Sequence, residues 1–459
     1  MQNAIFNLAA IGSSRSALAD HAGTASDREI VRTAGICAWS GQMGIRTFPT
    51  GTARALVLLA AVISPLVVWA QEVPLGFHLG PGETVQHDSN ITQMSEASGY
   101  PILSDTSYIT NLTGTFHETY GRQDLSVSAM IARVNYEHVS QYDVTEQNFR
   151  LALQSTLPYN VDSTVRLTRT AYLAHFADFG VPVRDVISTN DAYAMIDFPL
   201  SANWRSVLGG EAIRTQNSSG LLVTQNLNTN EFDAGIRFQP ISRNHVDLLV
   251  RTVEGSYPNG TPSSLIGPGY NDHGVDLRVD WTFTGASHLL GRAGYIERRN
   301  DTFYYLNTSV VPPQNELINR NFSGPAFDLT YIWQITGASK LTLYGLRATG
   351  ASGDNNYESA VTHTFRITPA YLPTEKVEID AYYEWTQADY FTNVYAIVTN
   401  QPAGVARLDD WHNAGISVLW SPRRWLQVKF DAHRLDRDSN IAYWTFAENV
   451  ASVTLQTSF

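Results

Sequence analysis

From about Gly76 to Phe459 the chain alternates apolar and polar residues in segments of about ten, a period-2 pattern that predicts strands rather than helices. The clearest case is Val275–Phe283. Val275, Leu277, Val279, Trp281 and Phe283 fall on one face; Asp276, Arg278 and Asp280 fall on the other. Val377–Trp385 repeats the pattern, with Val377, Ile379, Ala381, Tyr383 and Trp385 opposite Glu378, Asp380, Tyr382 and Glu384. Leu426–His433 sets Leu426, Val428, Phe430 and Ala432 against Gln427, Lys429, Asp431 and His433, and Phe232–Gln239 puts Asp233, Arg237 and Gln239 on its polar face. Such strands suit two solvents. In a soluble sandwich the apolar face is the core; in a membrane barrel it meets lipid and the charged face meets an aqueous lumen.

The connections separate these alternatives. Tight polar turns recur at Tyr120–Gln123, Tyr159–Asp162, Ser201–Arg205, Ser242–His245, Gly285–His288, Gly337–Lys340, Thr374–Lys376 and Ser421–Arg424. Longer Gly/Pro/Asn-rich connections lie between them, among them Tyr257–Asn271, Asp301–Asn319 and Phe391–Asp410. Short turns alternating with long loops match outer-membrane barrels, with turns in the periplasm and loops outside. Eight turns, with both chain ends on the turn side, predict an all-β fold: a transmembrane antiparallel up-and-down β-barrel of about 18 strands.

Aromatic residues cluster beside the turns: Trp204, Trp281, Trp333, Trp420 and Trp425, with Tyr159, Phe238 and Tyr371. An indole or phenol ring has an apolar body and a polar tip, which a membrane interface accommodates. The chain ends VTLQTSF, with Val453, Leu455 and Phe459 on one face. This terminus resembles the signal by which barrel-assembly machinery recognises its clients, making that machinery and outer-membrane lipid expected partners.

The N-terminal part reads differently. Ala55–Trp69 is an apolar run too short for a bilayer-spanning helix and is interrupted by Pro65. Arg46 and Arg54 precede it and Val68-Trp69-Ala70 follows the small-residue pattern of a cleavage site, so a signal peptide is expected over 43–70, cut after Ala70. Residues 1–42 then read as a mis-called or long leader, 71–83 as a short periplasmic segment and 84–459 as the barrel. An N-terminal membrane anchor is the alternative. Cleavage leaves 26 basic and 40 acidic residues, a formal charge of −14, and removes Cys37, the only cysteine. A cysteine-free exported chain has no disulfide framework, and its negative charge argues against nucleic acid as a partner.

No G-x-S-x-G elbow, H-E-x-x-H or phosphate-binding glycine loop occurs, and no enzymatic activity, metal or cofactor is expected. His433 and Asp431 share a strand face, which reads as a structural pair rather than half of a triad. Asp88-Ser89-Asn90 and Asp436-Arg437-Asp438 offer cation ligands but read as rim polar groups. The lumen-lining candidates are Asp233, Arg237, Asp276, Arg278, Asp280, Arg292, Glu378, Asp380, Glu384, Lys429 and Asp431. Their balance tilts acidic, suiting cations, neutral sugars or a weakly charged polymer, while salt-bridged filling of the barrel is the competing reading. Loop aromatics Tyr304, Tyr305, Tyr390, Trp411 and Trp444 could stack on sugar faces or fill the barrel mouth.

Several phrases carry a resemblance. Gly82–Thr92 (GETVQHDSNIT), Gly291–Asp301 (GRAGYIERRND), Arg320–Leu343 and Tyr383–Tyr390 (YEWTQADY) resemble the exopolysaccharide-operon EpsL-type proteins of the β-barrel porin class. The resemblance covers about Gly76–Phe459 and supplies no ligand residues. It implies passage of a polysaccharide through the outer membrane, or support for the export and synthesis components that achieve it. The alternative is a porin for small neutral or cationic solutes; an outer-membrane hydrolase is the third.

Overall fold

The computed structural model describes residues 75–176, 181–240, 244–260, 268–301, 303–307, 314–318, 321–351, 357–393 and 407–459. The expected leader, the signal peptide with Ala70, and positions 71–74 lie outside them. In chain order the strands are β1 (Gly76–Asp88), β2 (Asp105–Tyr120), β3 (Gln123–Tyr136), β4 (Val144–Leu157), β5 (Val161–Leu173), β6 (Val186–Pro199) and β7 (Trp204–Asn217). Then follow β8 (Leu227–Phe238), β9 (His245–Ser256), β10 (Gly269–Thr284), β11 (Ser287–Asn300), β12 (Phe303–Asn307), β13 (Gln314–Ile318) and β14 (Phe322–Thr336). The last six are β15 (Ser339–Ala351), β16 (Tyr357–Thr374), β17 (Val377–Asn393), β18 (Leu408–Arg423), β19 (Leu426–Ser439) and β20 (Phe446–Thr457).

Eighteen of these strands form one antiparallel sheet. Each pairs with the next in the chain, β11 pairs with β14 across the separate β12–β13 hairpin, and β20 pairs back onto β1. Closure leaves no unpaired edge, which backbone groups in hydrocarbon require.

The sheet is inside-out relative to a soluble protein. In β10, Val275 and Leu277 are each 48% exposed, whereas Asp276 and Arg278 retain only 3% and 7%. Phe232 and Ile236 in β8, Leu248 and Val250 in β9, and Phe430 in β19 likewise point outward and are exposed. An aqueous sandwich would reverse both sets. The two solvents left open by alternation alone are therefore resolved: the apolar face meets lipid.

All eight expected turns lie at one end of the barrel, together with both ends of the sheet-forming chain; positions 242 and 243 fall outside the described residues. Trp204, Trp333, Trp420, Trp425, Tyr159 and Tyr371 are exposed at this end, while Trp281 and Phe238 are half-buried. Trp204 packs on Phe238 at 5.0 Å and Trp425 stacks with Phe459 at 6.4 Å between ring centroids. Val453 and Leu455 face outward. Phe459 exchanges backbone hydrogen bonds with Leu79 (N–H to O distances of 2.9 and 3.0 Å), extending the β1–β20 seam to the C-terminus.

Strand limits differ from the sequence reading. The barrel begins at Gly76, not at residue 84, because the Gly/Pro-rich GFHLGPG stretch pairs with β2 despite its poor alternation. β10 starts at Gly269, β17 runs to Asn393 and β18 starts at Leu408, so the strands extend into the expected loops Tyr257–Asn271 and Phe391–Asp410. The Asp301–Asn319 connection carries the β12–β13 hairpin. Above the bilayer both faces of a strand can meet water, so polar residues no longer mark its end. Apolar packing is concentrated at this loop end, as in the cluster of Met94, Tyr142 and Phe176 with Ile91, Leu103 and Leu173.

Candidate functional site

The inner wall is built by the polar faces of the strands. All eleven expected lumen residues lie on it: Asp233 and Arg237 on β8, Asp276, Arg278 and Asp280 on β10, Arg292 on β11, Glu378, Asp380 and Glu384 on β17, Lys429 and Asp431 on β19. Asp280, Glu378, Asp380, Lys429 and Asp431 are half-buried, and the other six are buried.

Between β5 and β11 these groups join a continuous ionic carpet. Arg237 meets Asp247 through two hydrogen bonds, Nε to Oδ1 at 2.8 Å and Nη2 to Oδ2 at 2.9 Å, and reaches Asp197 at 2.9 Å. Arg205 bridges Asp197 and Asp162. Arg278 donates to Asp233 at 2.6 Å with Glu231 at 3.8 Å, and Arg166 donates to Glu211 at 3.0 Å. Asp276 lies between Arg251 (3.4 Å) and Arg292 (3.6 Å). His288 bonds Asp280 at 2.7 Å. Each of these contacts joins strands that are adjacent or one apart, so the charges pair along the wall. Such pairing satisfies buried charges, because a guanidinium fork fits a carboxylate and leaves neither stripped of partners.

A stacking module occurs twice on the wall. Tyr270 lies where a side chain on Gly255 of the neighbouring strand would stand: a Cβ there would come within 2.1 Å of the ring. From the strand on the other side Arg298 lies over the same ring, 3.6 Å from its centroid, and binds Asp272 at 2.5 and 2.6 Å. Tyr382 repeats this between Gly415 of β18 and Arg366 of β16, with the guanidinium 4.2 Å from the ring centre and Glu384 3.7 Å from Arg366. Glycine makes room for the ring, and the ring carries the cation.

On the other side of the lumen, β14–β19 place Asp328, Glu378, Asp380, Glu384 and Asp431 against Lys340, Arg366 and Lys429. Carboxylates outnumber cations in this sector, in line with the acidic tilt expected from sequence. His433 lies 3.5 Å from Asp431, which also binds Lys429 at 3.0 Å, so the pair belongs to the ionic lining.

Three expected loop aromatics cluster at the mouth. Tyr390, Trp411 and Trp444 are buried, and guanidinium groups lie over their rings: Arg407 over Tyr390 (4.4 Å) and Trp444 (3.9 Å), Arg437 over Trp411 (4.3 Å). Both arginines bind Asp409. The side chains of Tyr304 and Tyr305 lie outside the described residues. Of the two cation candidates, Asp88-Ser89-Asn90 forms a turn in which Asp88 accepts the Asn90 N–H at 2.8 Å. Asp436-Arg437-Asp438 lies at the end of β19, which turns Arg437 inward and Asp436 toward Arg434.

Sequence reasoning missed Asp197, Glu231, Asp247, Arg251, Asp272, Arg298 and Arg366. β9 reads HVDLLVRTVEGS, and its inward Leu249 and Val253 blur the alternation. The usable signal was Asp247 and Arg251, an even four residues apart and hence on one face.

No protein-family model matches the chain, and no curated protein does. Solved structures do. OpdK of Pseudomonas aeruginosa, solved with vanillate, has a TM-score of 0.44 at 9% identity over 83% of this chain and 99% of its own. OccK2 (OpdF) of the same organism, in complex with glucuronate, has 0.43 at 10% over 84% and 96%. OccAB4 of Acinetobacter baumannii has 0.46 at 10% over 84% and 98%. The similarity is one of strand layout. An even-numbered, closed antiparallel barrel with an apolar exterior and short turns at one end is the outer-membrane form, and this chain is a transmembrane barrel of the Gram-negative outer membrane.

Proposed function

We propose that the barrel is a channel through which small polar solutes, neutral or cationic, cross the outer membrane. The observation that supports this reading is that charges on the inner wall pair along it, between strands adjacent or one apart. Pairing along the wall leaves the opposite sides unbridged by these charges, and half-buried groups such as Asp280 and Lys429 keep hydrogen-bonding capacity for passing solutes. The carboxylate excess of the β14–β19 sector favours cations over anions. Swelling of liposomes containing the purified barrel tests this. Neutral sugars and cationic amino acids should enter faster than anionic solutes of equal size, and faster entry of the anions sinks the charge argument.

A second reading is passage of an exopolysaccharide with its export and synthesis components. It is supported by the sequence resemblance at Gly82–Thr92, Gly291–Asp301, Arg320–Leu343 and Tyr383–Tyr390. A deletion strain separates the two: loss of surface polymer with normal solute uptake favours the second reading, and the reverse favours the first.

A further inference from the structure

The outward face of β5–β8 carries a polar group that the lumen does not use. Arg169, Asn190, Arg214 and Asn228 stand directly beside one another across four strands. Arg169 donates to Asn190 at 2.9 Å, both arginines are exposed, and among the described residues neither meets a carboxylate. One strand, β6, separates the arginines; two interstrand steps give a spacing of roughly 10 Å at the backbone, which two long side chains can close onto one anionic group.

Height fixes what they meet. Arg214 is the eleventh residue of β7, which begins at the girdle residue Trp204. Ten steps of about 3.3 Å along a strand tilted by roughly 40° raise it about 25 Å, the full height of the apolar band. The outward positions directly below the row are Leu167, Ala192, Ala212 and Asn230, then Val165, Ala194, Gly210 and Phe232. On β5–β7 the guanidinium groups therefore stand where lipid headgroups of the outer leaflet begin, above an apolar face, while on β8 and β9 Asn230 and Glu254 carry the polar belt one step lower. A cation in that position, unpaired by protein, complements a lipid phosphate.

We propose that Arg169 and Arg214, with Asn190 between them, bind the phosphate headgroup of an outer-leaflet lipid on the barrel exterior. Binding of diphosphorylated lipid A to the folded barrel in detergent, followed by native mass spectrometry, tests this against dephosphorylated lipid A and against inorganic phosphate. The R169Q/R214Q variant should bind the diphosphorylated lipid at least tenfold more weakly, R169K/R214K should keep most binding, and R133Q, an outward arginine already beside Asp143, should match wild type. Folding of each variant is checked by heat-modifiable migration. Equal binding by wild type and R169Q/R214Q overturns the proposal. So does an equal loss for the dephosphorylated lipid, inorganic phosphate binding as tightly as the lipid, or a wild-type dimer that the double variant abolishes, which would assign the face to a second copy.

Discussion

At the scale of single residues, the described ion pairs of the wall are strong because they are shielded, and that makes each intolerant of losing one member. Arg237 lies between Asp197 and Asp247, all three almost fully buried. R237M strips buried Asp247 of its guanidinium and leaves Asp197 with Arg205 alone, an expected loss of about 3–5 kcal/mol read from denaturant unfolding in micelles. Outside the membrane, His138 gives a pH signature. Its hydrogen bond to Asp105 at 2.9 Å, reinforced by Glu137 nearby, raises its pKa above the ordinary 6.5. The raised value means the bond contributes fully below pH 6.5 and is lost as pH rises through the folded midpoint. NMR titration should place that midpoint above 6.5 in the wild type and return it toward 6.5 in D105N; an unchanged midpoint in D105N contradicts the assignment.

At the scale of elements, the weakest join is the seam. The β1–β20 ladder runs from Gly82–Gln456 to Asp88–Val450, whereas β1–β2 is paired along all of β1. Where Pro81 offers no N–H, side chains take over: Gln456 donates to the Gly80 carbonyl at 2.9 Å and Thr457 to the Pro81 carbonyl at 3.0 Å. Q456A should speed amide hydrogen exchange in β1 and β20 while leaving β8–β10 unchanged; uniform acceleration would show that the seam is not a separate unit. The stacking modules make a second prediction. G255A and G415A push a methyl group into Tyr270 and Tyr382, and each should cost about 1–3 kcal/mol of unfolding free energy. Turns and strand faces were legible in the sequence because Gly, Asn and period-2 alternation are local signals, as Gly285–His288 and Val275–Phe283 illustrate. Pairing partners were not. That Arg278 reaches Asp233 across β9, or that Tyr270 leans on Gly255, depends on register between distant strands, which alternation alone leaves free.

At the scale of the molecule, one claim underlies the rest: the charged face encloses water and the apolar face meets lipid. Neighbouring positions on β17 test it, because Asp380 lies on the inner wall and Ile379 on the outer. Cys37 is the sequence's only cysteine and precedes the barrel, so a barrel carrying D380C or I379C and made without residues 1–70 has a single thiol. The decisive measurement is single-channel current in a planar bilayer during addition of a charged, water-soluble thiol reagent. Ohmic current should drop in lasting steps for D380C and stay constant for I379C. Absence of current under every condition, or a drop confined to I379C, would contradict it.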